Sequence, residues 1–356
     1  MRVIVVGGGV IGLACAWQLA RAGAQVQVLD AAPEAREASW AAAGMLAPHH
    51  EATTTDAAWR LGCESLAAWP QFARELGGDA VIDHRQSGGL VPIIDEADAE
   101  PAARHARELA QAGVAVDWWS AAQVRSRETA LAEVVRGAWW IGGGQVDPRR
   151  VLQALNAACE LSGVALRYGA RVEAIDAGRV HLAGAELLEA EQVVLASGAW
   201  TPALAQATGL ALRGEPVKGQ MLRLAAGDDL LRHFLHSHHA YLVQRRGAGV
   251  VVGSTMVETG FDRSPDAQAI ERLAGSARRL LPQLRDAAIL EHWTGLRPRL
   301  SGGRPVISQV RPGLIIATGH FRNGILLTPA TAQAVTALAF GQAPSSAAGA
   351  FAALPA

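Results

Sequence analysis

Arg2-Val3-Ile4-Val5-Val6-Gly7-Gly8-Gly9-Val10-Ile11-Gly12 decides the fold, together with Asp30 eighteen residues beyond its last glycine. The β-branched run reads as a strand, the three consecutive glycines as a tight turn, and the Ala-rich stretch after Gly12 as a helix. This is the opening βαβ unit of a dinucleotide-binding sheet. Gly7 makes the turn, Gly9 admits the backbone close to a pyrophosphate, and Gly12 lets the helix lie against the strand, a packing face that Ala16 continues. The helix N-terminus offers free N–H groups and about half a positive charge to the phosphates. A second strand, residues 25–29, ends at Asp30, whose carboxylate accepts ribose hydroxyls and repels a 2′-phosphate. Arg2 before an apolar stretch also has the outline of a signal peptide. The glycines break that apolar core, and Gln18 and Arg21 fall where it should continue.

A chain of 356 residues exceeds what one core organises, so two lobes are expected, and 50% apolar residues against 18% charged ones supply the core. With 32 basic and 33 acidic residues and no basic run interleaved with aromatics, nucleic acid is not the expected partner. Cys15, Cys63 and Cys159 are isolated, without metal or redox spacing, which fits a reducing compartment; Cys15 reads as a small hydrophobe in the first helix. No apolar run reaches the length that crosses a bilayer. A cytoplasmic enzyme without nucleic-acid or membrane partners is the expectation.

Three segments carry α/β character. The first is the opening unit. The second starts a helix at Asp147-Pro148-Arg149-Arg150, passes through strands at 166–168 and 172–175, and reaches the buried strand 192–196, which ends in Ser197-Gly198-Ala199-Trp200. The third is Gly313-Leu314-Ile315-Ile316-Ala317, then Thr318 to Gly324, then a closing helix with Thr328 as N-cap and Pro329 in its first position. Between them, extended runs such as 89–94, 240–245 and 249–253 alternate with turn residues and read as a mostly antiparallel sheet. The expected fold is therefore α/β with an α+β second lobe. A Rossmann-type domain of residues 1–82, 140–213 and 304–356 is interrupted twice by a substrate lobe of 83–139 and 214–303. The last dozen residues, rich in Ala, Ser and Pro, are expected to fray.

A second glycine fingerprint would signal a second dinucleotide. The nearest candidate, Ile141-Gly142-Gly143-Gly144-Gln145-Val146-Asp147, has Asp where the last glycine belongs and runs into a helix cap. One dinucleotide site is expected. Three further motifs narrow the reading: Ala38-Ser39-Trp40-Ala41-Ala42-Ala43-Gly44-Met45-Leu46-Ala47-Pro48-His49, Thr294-Gly295-Leu296-Arg297-Pro298, and Gly319-His320-Phe321-Arg322-Asn323-Gly324-Ile325-Leu326-Leu327. With the fingerprint and Gly253-Ser254-Thr255-Met256-Val257-Glu258-Thr259-Gly260-Phe261-Asp262, they resemble the glycine oxidases of thiazole (thiamine) biosynthesis, in the D-amino-acid oxidase family, from the first strand to about residue 340.

The resemblance implies a noncovalent FAD, oxidation of glycine, small D-amino acids or N-methylglycine by hydride transfer to the flavin, and an imine (hydrolysed to the 2-oxo acid) and hydrogen peroxide as products, with dioxygen as acceptor. It also implies a tetramer. It places FAD at Gly7, Gly9, Val10, Ile11, Gly12, Asp30, Ala31, Ala38, Ser39, Ala43, Gly44, Met45 and Val172, and along His320, Phe321, Arg322, Asn323, Gly324, Ile325 and Leu326. Arg297 matches the family's carboxylate-binding arginine, Tyr241 its substrate-contacting tyrosine, and Met256 a side chain lining the small pocket.

The residue types suit that chemistry. A guanidinium grips both oxygens of a carboxylate in one plane, which makes Arg297 the leading candidate and Arg322 the second. The small 41–46 run suits close approach to a flat isoalloxazine, and backbone N–H groups of 322–327 suit the charge that accumulates on a reduced flavin. No catalytic base is expected. Asp30 stands where glutamate is more usual, Trp40 where a small polar residue is, and Gln244 where proline is common. His236-Ser237-His238-His239 has no nearby carboxylate or cysteine partner and reads as a solvated loop, so no metal is expected. The tryptophan pairs at 118–119 and 139–140 read as core packing. Rival readings are a D-amino-acid dehydrogenase using another electron acceptor, a flavin domain that modifies the tRNA wobble base, and a catalytically idle binding protein.

Overall fold

Val3, Ile4, Val5 and Val6 are all buried, which places β1 (Arg2–Val6) in the middle of a sheet covered on both faces. The computed structural model describes residues 1–32, 36–51, 56–176, 178–238 and 240–352. The first sheet has six strands in the order Val306–Arg311, Leu314–Thr318, Gln192–Leu195, β1, β2 (Gln25–Asp30), Ala165–Tyr168. Every neighbouring pair is parallel except the hairpin of Val306–Arg311 with Leu314–Thr318. Helix α1 (Val10–Arg21) packs on one face with the helices Ala57–Glu75, Pro148–Leu161 and Thr328–Ala339. The other face is covered by a three-stranded antiparallel sheet of Val172–Asp176, Arg179–Leu182 and Leu187–Glu189.

The second lobe is built on an eight-stranded sheet whose members come from both insertions. Its order is Ile289–Leu300, Gly214–Leu224, Gly249–Gly253, Tyr241–Arg245, Phe234–His236, Gly89–Ile93, Gly137–Ile141, Val116–Ser120. The one parallel pairing, Phe234 and Leu235 with Gly89 and Leu90, is where the two insertions meet. The helix Ala267–Leu280 buries Ile270, Leu273, Ala274 and Ala277 against the outer face, and the inner face turns toward the first lobe.

Some local expectations change. The strand Gly137–Ile141 straddles the 139/140 boundary and belongs whole to the larger sheet, because its ladder to Gly89–Ile93 continues through Ile141. Asp147 caps the Pro148–Leu161 helix as read, but Thr328 is not an N-cap. The cap is Leu327, and the Thr328 hydroxyl instead donates to the Gly324 carbonyl at 2.8 Å. The C-terminal residues do not fray through 352: Phe351 is buried, and its carbonyl accepts from Ile307 N–H at 3.1 Å. His236 ends a strand beside the buried His50 rather than lying in a loop, and His239 is outside the described residues. Of the tryptophan pairs, Trp119 is core while Trp118 is 42% exposed.

Candidate active site

A cavity of about 820 Å³ runs between the two sheets. One wall is the carboxyl end of the parallel strands, where α/β sheets bind their ligands; the other is the inner face of the eight-stranded sheet.

At the dinucleotide end the glycines are required by geometry. Gly7 has φ +116°, and a Cβ there would sit 2.4 Å from the Ala196 carbonyl oxygen; a Cβ on Gly12 would sit 1.8 Å from the Gly7 oxygen. Gly7 and Gly9 therefore open the turn, and Gly12, which does not line the cavity, lets α1 close on β1. The first turn of α1 holds no acidic residue, and Ser39 Oγ accepts from the Val10 N–H at 3.0 Å. Asp30 accepts from the N–H groups of Gly8 at 2.6 Å and Ala32 at 2.8 Å, and so stands fixed at the cavity wall. A helix N-terminus without an acidic residue in its first turn, a glycine turn and a pinned carboxylate fit the pyrophosphate and ribose of a dinucleotide.

The middle of the cavity is lined from two sides. Ala41, Ala42, Ala43, Gly44 and Met45 form one, with Gly44 at φ +94° where a Cβ would lie 2.0 Å from the Val146 oxygen. Thr318 and His320 to Ile325 form the other, turned into place by Gly319 at φ +79°, with Phe321 at φ +48°. His320 is buried, its Nε2 3.0 Å from Thr331 Oγ1, and burial pushes its pKa down to about 4, so the ring is neutral at pH 7. Leu326 does not reach the cavity. Its carbonyl accepts from Ser65 Oγ at 2.6 Å and Trp69 Nε1 at 2.9 Å, which anchors the segment from behind.

At the far end the inner sheet face is paved with glycine. Arg297 lies across Gly219, where a Cβ would stand 2.4 Å from its guanidinium nitrogens. The Tyr241 ring lies across Gly253, where a Cβ would stand 2.6 Å from the hydroxyl. Arg297 donates to Ser254 Oγ at 2.6 Å and to the Thr255 carbonyl at 3.0 Å, and among the described residues no carboxylate is paired with it. A half-buried guanidinium held by neutral acceptors, facing a cavity, fits a carboxylate ligand.

Arg297, Tyr241 and Arg322 thus meet at one cavity, as do Ala31, Ala38, Asn323, Gly324 and Val172. Met256 does not: it is 57% exposed on the segment after Gly249–Gly253, and Met221 lines the cavity instead, its sulfur 3.6 Å from the Tyr241 hydroxyl. Sequence reasoning also missed Arg263 and Trp200. Arg263 reaches Glu37 at 2.6 Å and lies 5.5 Å from the Trp200 ring centre. Residues 226 apart leave no local pattern to read. Gln244 points away from Tyr241 on the alternate side of its strand, its Nε2 donating to the carbonyls of Gly227 at 3.0 Å and Gly249 at 3.2 Å, so the missing proline leaves the cavity untouched. Among the described residues no group of three His, Cys, Asp or Glu is placed to hold a metal ion, and no helix is long and apolar enough to cross a membrane.

The chain is 35% identical to a glycine oxidase of Pseudomonas putida over 355 residues, covering 96% of this chain and 95% of that one. It is 34% identical to the bifunctional protein ThiO/ThiG of a Nostoc species, matching 94% of this chain but 52% of that longer protein. The crystal structure of glycine oxidase from Geobacillus kaustophilus superposes with a TM-score of 0.92 at 31% identity, over 99% of this chain and 98% of that one. The family described as FAD dependent oxidoreductase (DAO) matches residues 2–338. With a fingerprint, a cavity and a fold that agree along nearly its whole length, the chain belongs to the DAO family of FAD-dependent oxidoreductases.

Proposed function

We propose that this enzyme oxidises glycine, small D-amino acids or N-methylglycine to the imine, which hydrolyses to the 2-oxo acid, with dioxygen reduced to hydrogen peroxide, and that it serves thiamine thiazole formation. The observation that carries the substrate class is Arg297: a guanidinium without a carboxylate partner among the described residues, lying flat at the end of the cofactor cavity beside Tyr241. The ThiO/ThiG proteins, of which this chain spans about half, support the metabolic assignment.

FAD supplies a two-electron acceptor for the hydride leaving the carbon that bears nitrogen. The residues of the chain do the rest. Gly7, Gly9, Val10 and Ile11 would hold the pyrophosphate at the start of α1, Asp30 would take the ribose, and Val172 would wall the adenosine end. The small 41–45 loop and the 320–325 segment, which line the middle of the cavity, would hold the isoalloxazine. Arg297 grips the substrate carboxylate, with the Tyr241 hydroxyl and Arg322 lining the same cavity. Burial keeps His320 neutral, so it adds no positive charge beside the cofactor, and orientation and fixed dipoles are assigned the catalysis. None of the three cysteines lines the cavity, consistent with a noncovalent cofactor. In this scheme 1–82, 140–213 and 304–356, adjusted for the strand Gly137–Ile141, bind FAD, and 83–139 with 214–303 present the substrate.

A panel of glycine, sarcosine, D-alanine and L-alanine tested for peroxide release by the purified yellow protein checks the reading. Turnover of the first three with peroxide equal to amine consumed supports it. Dye reduction without peroxide would instead indicate a dehydrogenase, and no turnover of any small amine would refute the substrate class.

A further inference from the structure

Two strands that present the substrate-binding side chains also reach back to the loop at the centre of the cavity. Along Ile289–Leu300 alternate residues share one face, and Glu291, Trp293, Gly295 and Arg297 are that set. Trp293 Nε1 donates to the Ala41 carbonyl at 3.0 Å, and a Cβ on Gly295 would stand 2.5 Å from Ala41 Cβ. Glu291 accepts from both Arg149 guanidinium nitrogens at 2.9 and 3.0 Å. The Arg149 guanidinium lies in the angle between two indoles inclined at 72°, 3.5 Å from the Trp40 ring centre and 4.6 Å from that of Trp293. Trp40, unusual for the family by sequence, thus joins Arg149 and Trp293 in a cation–aromatic cluster beside the loop.

Tyr241–Arg245 repeats the plan. Tyr241 stands at one end of the strand, and Arg245, four residues on and on the same face, donates to the carbonyls of Ala42 at 2.9 Å and Ala43 at 3.1 Å while pairing with Asp147. Val146 N–H takes the Gly44 carbonyl at 2.9 Å. Four consecutive carbonyls of the loop are therefore drawn outward, three of them by side chains of the substrate lobe. Arg245 is 3% exposed, and burial holds its pKa below the usual arginine range despite the Asp147 carboxylate. Burying a cation for packing alone is unfavourable, whereas one that satisfies two carbonyls and a carboxylate has a reason to be there.

We propose that Trp293 and Arg245 are positioning residues for the oxidation, fixing the 41–44 loop at a set separation from the Arg297 and Tyr241 groups that hold the substrate. In each strand the loop anchor and the substrate group are four residues apart, about 13 Å at the rise of a β-strand. The loop carries the flavin and the strands carry the carboxylate site, so two parallel rulers set how the reacting carbon meets the cofactor. An error of about 1 Å in such an arrangement costs on the order of a hundredfold in rate.

The inference rests on the proposed function, and its test separates the two. Trp293→Phe keeps an aromatic ring and removes the donor to Ala41; Arg245→Lys keeps the charge and cannot span both carbonyls and Asp147. For each variant three quantities are measured: the FAD dissociation constant by titrating apoprotein, the acetate dissociation constant from perturbation of the flavin spectrum, and the anaerobic flavin-reduction rate at saturating glycine. The expected result is a reduction rate at least tenfold lower and FAD bound severalfold more weakly, with acetate affinity within twofold of the parent. A reduction rate and FAD affinity both within twofold of the parent in Trp293→Phe would overturn the proposal, as would acetate affinity falling in step with the rate. Should Arg245→Lys not fold, Trp293→Phe decides alone. If no amine reduces the parent's flavin, the functional reading fails, and the FAD and acetate constants judge the clamp by the same limits.

Discussion

Arg297 rests on Gly219, so closely that a single methyl group on that glycine would occupy the space of the guanidinium, 2.4 Å from its nitrogens. The atom displaced is the far end of a flexible side chain, while the Gly214–Leu224 backbone has no reason to move. Gly219→Ala is therefore expected to separate function from stability. The KM for glycine should rise at least tenfold while Tm stays within a few degrees of the parent. Steady-state kinetics beside a thermal melt checks both halves.

Removing the guanidinium itself is more severe. Arg297→Ala leaves a substrate carboxylate without its charge partner, a loss of roughly 2–5 kcal/mol for truncated charge pairs in dry sites. That corresponds to a fall in kcat/KM of at least about thirtyfold at 1.4 kcal/mol per decade. An apparent glycine affinity unchanged in this variant would remove Arg297 from the site.

Asp30 is held by the Gly8 and Ala32 N–H groups, at 2.6 and 2.8 Å, in the position where β2 meets the glycine turn. Its loss should loosen the turn and remove the ribose acceptor together. Asp30→Ala is expected to weaken FAD by about 10- to 100-fold, or about 1.4–2.8 kcal/mol, with little change in the KM of glycine at saturating FAD. Titration of apoprotein with FAD measures it.

His320 makes stability depend on pH. Burial lowers its pKa from 6.5 to about 4, so between those values the unfolded chain binds a proton that the folded chain refuses. Stability from this group is complete above about pH 6.5 and is lost as pH falls toward about 4, up to about 3 kcal/mol in all. His320→Asn, neutral throughout, should reduce that slope, leaving the contributions of His49, whose pKa is lowered to about 4 first by burial and then by His105, and of buried His50, held well below the usual histidine value first by burial and then by His236. Thermal melts from pH 4.5 to 7.5 give the slope.

The opening fold was legible because its signals are local. A β-branched run, a glycine turn and an acid at one strand's distance all lie within Arg2 to Asp30, and the structure builds them as β1, α1 and β2. The caps at Asp147 and near Thr328 were readable to within a residue for the same reason. Met256 misled because a motif in matching order does not say which way a side chain turns, and here the segment exposes it. The bracing of the loop was beyond the sequence. Arg245 to Ala42 spans 203 residues and Trp293 to Ala41 spans 252, contacts made only when the two sheets close on each other. Trp40 looks odd in the sequence because Arg149, the partner beside it, reaches it only through the fold.

Anaerobic addition of glycine to the purified flavoprotein, followed by admission of air, tests the central claim most directly. Bleaching of the visible flavin band, its return with oxygen and one peroxide per glycine consumed is the predicted sequence. A flavin band that glycine, sarcosine and D-alanine all leave unchanged would contradict it.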